Sequence, residues 1–186
     1  MTGLNVLIGA LVLLVSGSTF SHAGMACIFD KDCPAGQFCG RDTDGVDRCI
    51  PVYKEKIAFH AYTNASGYFS PGEVVIFPNI LYNDGAGYDG ASGNFTAPVS
   101  GVYHFTAHIC NAESKYMVIN IMKEDHQIAV TSSYSSPGAG CNSVSTVAKV
   151  KKNEHVFVVA RFEGSQMFSD GNRRPSFMGF LLYEKE

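Results

Sequence analysis

Three sets of side chains in this sequence have the types and spacing that chemistry requires. The first is Asp42-Thr43-Asp44-Gly45-Val46-Asp47, where carboxylates recur at the close spacing of calcium loops. It lacks the template's glycine order, the bidentate Glu at the twelfth position and helical flanks, so a solvated acidic loop accounts for it. The second is His60, His104 and His108; the last two share one face of a predicted strand and could converge with the first on a metal. Alternation alone places polar residues there, which explains them without an ion. The third is the basic tip Asn172-Arg173-Arg174 beside Asp170, where planar guanidinium forks suit carboxylate, sulfate or phosphate. Lys149, Lys151 and Lys152 form a similar cluster, and both clusters can equally be solvated turns. No Gly-x-Ser-x-Gly elbow, His-Glu-x-x-His or Cys-x-x-Cys pair occurs, so the sequence is read as that of a non-enzyme with no assigned metal.

The elements that must position these groups are strands. From Gly101 onward Tyr103, Phe105, Ala107 and Ile109 fall on one face and His104, Thr106 and His108 on the other, the period of a half-buried strand. Further strands are expected at Ile57–Tyr62, Val74–Tyr82, Val102–Ile109, Met117–Lys123, Gln127–Thr131, Val144–Val150, Val156–Phe162 and Ser176–Tyr183. Gly-, Asn- and Ser-rich connections such as Asn83–Gly87 and Ser135–Gly140 separate them, and helical periodicity is missing. Nineteen Gly and no Trp suit many short strands joined by tight turns. The expected core aromatics are Phe59, Tyr88, Phe95, Tyr103, Phe105, Phe157, Phe177 and Phe180.

At 186 residues the chain can fill one sizeable core and carry a small appendage. Residues 1–23 read as a signal peptide, with an apolar run Val6–Val15 and a small-x-small cleavage site Ser21-His22-Ala23. The run is too short to span a bilayer, so a soluble, secreted and extracellular protein is expected, with no membrane partner. A net charge of -3 and 17% charged residues exclude the basic excess of a nucleic-acid binder. All six cysteines lie beyond the cleavage site, where an oxidising compartment favours disulfides. Cys27, Cys33, Cys39 and Cys49 crowd residues 24–52, too poor in apolar side chains for a core, and three pairings among them are open. Cys110 and Cys141 remain as a natural pair within the larger domain, residues 57–186. Asn64-Ala65-Ser66 and Asn94-Phe95-Thr96 are glycosylation sequons; the first sits at a Ser-Gly turn, and the second lies against an expected core residue.

The run Gly93–Phe105, with Asn83 and Tyr88 upstream and Phe177–Tyr183 downstream, resembles the globular head domain of complement C1q from about Ile57 to the C-terminus. One departure is Lys151-Lys152-Asn153-Glu154-His155, where that family usually places a Gly-Asp turn. The resemblance implies an all-β jelly-roll sandwich shared with the tumour necrosis factor family, here preceded by a small cystine-rich segment. It further implies a homotrimer whose outer loops bind a microbial or carbohydrate ligand in innate immunity. A cytokine- or cerebellin-like receptor ligand and a matrix component are the alternatives. Calcium sites known in some such heads make Asp84 and Asp89 candidate ligands, although a Gly-rich turn explains that loop without an ion. No Gly-X-Y array or heptad repeat is present, so multivalency is expected from head-to-head association or from intermolecular disulfides.

Overall fold

The computed structural model describes residues 26–41, 44–51 and 56–185. The expected signal peptide and the carboxylate of Asp42 lie outside the described residues. The chain divides into two compact units, with the boundary between Tyr53 and Lys54.

The first unit has too few buried side chains to hold itself together by burial. Ile28 and Phe29 are exposed, and its buried members are Cys27 and Cys49. A hairpin of β1 (Gln37–Arg41) and β2 (Asp47–Pro51) sets Cys39 opposite Cys49. Disulfides Cys27–Cys39 and Cys33–Cys49 close loops of 12 and 16 residues. By chain entropy each contributes about 3 kcal/mol.

The second unit is the sandwich. Its strands are β3 (Ala58–Tyr62), β4 (Gly67–Phe69), β5 (Asn79–Asp84), β6 (Phe95–Thr96), β7 (Gly101–Asn111), β8 (Tyr116–Lys123), β9 (His126–Tyr134), β10 (Gly140–Val150), β11 (His155–Ala160), β12 (Ser165–Met167) and β13 (Ser176–Glu184). The larger sheet runs β4-β12-β7-β13-β3-β5, with β10 paired along β7. The smaller runs β6-β11-β8-β9. All named pairings are antiparallel.

The parity of β7 holds as read: Tyr103, Phe105, Ala107 and Ile109 are wholly buried between the sheets. Around them Phe59 stacks on Tyr88 at 4.8 Å and on Phe95 at 5.0 Å, and meets Phe177 edge-on at 5.1 Å. Gly179 is required here, because a Cβ would fall 2.6 Å from Phe105 and 2.7 Å from Phe59. Burial pushes the Tyr88 phenol up to about 12, and its hydroxyl donates to the Phe77 carbonyl at 3.2 Å.

Two expectations are corrected. Val74–Tyr82 is not one strand: Val74 bridges Val159 on β11, whereas Asn79–Asp84 pairs with β3 in the other sheet. Pro78 lies at the crossing, where its missing N–H cannot serve a ladder. Phe157 and Phe180 are not core residues; the inward positions of their strands are Val156, Val158, Phe177 and Gly179, so both rings face away from the core. Phe77, wholly buried, belongs in that core instead. The turn of Lys151–His155 is made by Asn153 at φ 70°, with the Glu154 amide donating to the Lys151 carbonyl at 3.0 Å. Asparagine tolerates this left-handed conformation and takes the place of glycine.

Candidate functional site

The arginine doublet belongs to the loop entering β13, and the structure gives its two members different tasks. Asp170 organises the loop: its Oδ1 accepts the amides of Asn172 and Arg173, each at 2.8 Å, and its Oδ2 accepts Arg173 Nη1 at 2.7 Å. Ser169 fastens the loop to the segment after β3. Its amide donates to Ser66 Oγ at 2.9 Å and its hydroxyl to the Thr63 carbonyl at 3.2 Å. Arg173 thus pairs within its own loop. Arg174 is exposed and lies 4.5 Å over the ring of Tyr62, a cation–π contact that leaves its donors facing solvent.

A shallow pocket is lined by Thr63, Ala65, Ser66, Phe69, Glu73 and Val74, of β4 and the segments that follow β3 and β4. Ser66 lines this pocket and also holds Ser169 of the arginine loop. Asn64 is exposed on the rim between two lining residues, whereas Asn94 is half-buried. Sequence reading missed the contributions of Tyr62 and Ser66, and only the Asn64 sequon drew attention to that stretch.

The amide of Asn172, with the amide and guanidinium of Arg173 behind it, holds the Asp170 carboxyl below the usual carboxylate range. A carboxyl with a lowered folded-state pKa stabilises above its ordinary value, near ~3.9, and that contribution is lost as pH falls through the lowered value. Hydrogen exchange at the Asn172 and Arg173 amides is expected to stay slow at pH 5 and to lose protection in the acid range below the ordinary carboxyl value. Protection in Asp170→Asn should not respond to pH there; an identical acid response in the variant refutes the assignment.

The other candidates are not assembled. Asp47 of the acidic loop pairs with Arg41 through two contacts, at 2.9 and 3.0 Å. Asp84 accepts the Tyr82 hydroxyl, and Asp89 accepts the Ala91 amide at 2.9 Å and the Ser92 hydroxyl at 2.6 Å. Both carboxylates thus brace their own turns. His60, His104 and His108 rise from one face of the larger sheet but do not form a common cluster among the described residues. His104 packs on Phe180, with ring centroids 5.0 Å apart.

That outward face of the larger sheet is itself a candidate surface. Rows across it read Ser145, Thr106, Met178, His60 and Val147, His104, Phe180, Ala58. Val147 is 57% exposed, and Ile80, Leu81, Tyr82, Leu182 and Tyr183 are also exposed on strands of this sheet.

The family model for the C1q domain matches residues 58–182. The human complement C1q and tumor necrosis factor-related protein 9B is 31% identical over 136 residues, covering 70% of this chain and 40% of that protein. The mouse complement C1q tumor necrosis factor-related protein 3 is 30% identical over 131 residues, covering 69% and 52%. The match thus spans about half or less of the length of these two relatives. The globular domain of zebrafish complement 1qA superimposes with TM-score 0.59 at 19% identity, over 70% of this chain and all of that one. The Eiger TNF of S. frugiperda gives 0.55 at 16%, over 72% and 96%. These two share the fold of the second unit, the TNF/C1q jelly roll. With its match over most of that unit and its core built on Phe59, Tyr88, Phe95 and Phe105, the chain belongs to the C1q domain family.

Proposed function

We propose that this is a secreted, non-catalytic recognition protein of innate immunity whose heads associate as a homotrimer and bind carbohydrate on microbial surfaces. The observation that carries the reading is the exposed Arg174 guanidinium held over the Tyr62 ring. An aromatic face beside an exposed guanidinium suits a sugar bearing a carboxylate, sulfate or phosphate. Three copies on a trimer raise avidity on a patterned surface by about 10²- to 10⁴-fold without any new contact. The expected cleavage after Ala23, the disulfides and the exposed Asn64 sequon agree with secretion. Among the described residues no helix is long and apolar enough to cross a membrane.

The test is a glycan and microbial-surface screen on the purified protein, with calcium and with chelator. Saturable binding competed by an acidic sugar is expected, and Arg174→Ala should weaken it about tenfold or more, as loss of a charge-assisted hydrogen bond of ~1.5–3 kcal/mol requires. Arg173→Ala should act less directly, through loop order. Unchanged binding in Arg174→Ala removes this site, and loss with chelator restores calcium to the Asp84–Asp89 loop. The names of the relatives favour a second reading, a signalling ligand for one cell-surface receptor. A single protein partner without sugar competition distinguishes it.

A further inference from the structure

Cys110 and Cys141 face each other across the β7–β10 ladder, bonded as a disulfide, and His108 lies on the same side of β7 two residues before Cys110. The His108 Nε2 stands 3.6 Å from Cys110 Sγ, and the nitrogen and both sulfurs all lie within 4.8 Å of one another. On the far side of the ring, His108 Nδ1 is 2.8 Å from Ser143 Oγ. That hydroxyl can accept from Nδ1–H, the tautomer that leaves the Nε2 lone pair directed at the sulfur. Neither the fold nor the recognition reading uses this histidine.

The geometry points to a latent zinc site made of His108 Nε2, Cys110 Sγ and Cys141 Sγ, opened when the Cys110–Cys141 bond is reduced. A tetrahedral zinc with S and N ligands at about 2.3 and 2.0–2.1 Å sets its N···S edge at about 3.6 Å and its S···S edge at about 3.8 Å. The nitrogen already holds the first spacing, and breaking the bond frees the sulfurs to take the second. The backbone keeps them opposed meanwhile, because the ladder runs without a break from Gly140↔Asn111 to Val150↔Gly101. Ser143 then orients the ligating ring from behind, as partners of metal-bound histidines do. Cys110 is wholly buried but Cys141 is exposed, so the fourth position opens outward to water.

The redox step balances with an external thiol as reductant. Its thiolate attacks the exposed Cys141 sulfur and expels Cys110 as a thiolate. A second thiol then resolves the mixed disulfide, leaving two protein cysteines and one external disulfide. Zinc binding releases the remaining thiol protons.

Cobalt(II) serves as the probe, since its thiolate charge-transfer absorption reports sulfur ligation. The full chain is reduced anaerobically with a trialkylphosphine, which leaves as its oxide, and is then titrated with cobalt and back-titrated with zinc. The cystine module also gathers sulfurs of Cys27, Cys33 and Cys49, so equivalents are counted against Cys110→Ser/Cys141→Ser. Reduced wild type should bind one equivalent more than that variant, with thiolate absorption that zinc abolishes. His108→Gln keeps every cysteine and can be checked for folding while oxidised; it should weaken the additional site at least tenfold, and Ser143→Ala about tenfold. Equal stoichiometry in wild type and the double variant overturns the site, as does undiminished affinity in His108→Gln. Glycan binding by the oxidised protein is read separately, so failure of either proposal leaves the other standing.

Discussion

Phe59→Ala is expected to destabilise the sandwich by about 3–5 kcal/mol, the range for emptying an aromatic site in a packed core. This is a large share of the roughly 5–15 kcal/mol that holds a domain folded. The ring is central to the aromatic cluster, touching Tyr88, Phe95 and Phe177 at 4.8–5.1 Å. Each such pair adds about 0.5–1.5 kcal/mol beyond area burial. Guanidinium unfolding followed by far-ultraviolet circular dichroism measures the loss, since the chain has no Trp. Gly179 supplies an internal check. Gly179→Ala alone should cost about 1–3 kcal/mol, because the new methyl meets Phe105 and Phe59. Combined with Phe59→Ala it gains room, so the double variant should be less destabilised than the two losses summed, by about 0.5–3 kcal/mol. Strict additivity would show that the two positions do not share one packed volume.

The same packing explains what sequence alone makes legible. In β7 the two faces differ in polarity, so Tyr103, Phe105, Ala107 and Ile109 declare the core directly. In β11 and β13 both faces carry apolar residues, and no alternation tells Phe177 from Phe180; the buried positions follow from pairing, β13 with β7 and β11 with β8, a non-local fact. β4, β6 and β12 have two or three residues each and exist through their partners, below the length at which periodicity can speak. The basic doublet was legible as charge. Its division of labour was not, because Asp170 lies close in sequence but Tyr62 reaches Arg174 only once β3 and β13 pair. His108 likewise reads as one polar residue in an alternating strand until the register of β10 brings Cys141 and Ser143 beside it.

Apolar residues on the outward face of the larger sheet carry the second large effect. A strand that is apolar on both sides needs cover on both sides, and the sandwich covers one. Val147 tests what covers the other, since it is 57% exposed and sits in a row with His104 and Phe180. In a free head Val147→Glu exposes its charge to water, and surface changes of this kind alter stability by no more than about 0.5 kcal/mol. In a trimer closed on this face the carboxylate loses water in every copy, at several kcal/mol per ion. A threefold assembly bears that cost three times and should fall to monomers, with its association constant reduced far beyond 10³-fold. Val147→Lys must do the same, because the penalty is desolvation and does not depend on the sign of the charge, whereas a rescue by pairing with His104 would separate the two variants. Sedimentation of wild type as a trimer and of both variants as folded monomers is the expected result. Trimers in all three place the interface elsewhere and leave this apolar face to a different partner.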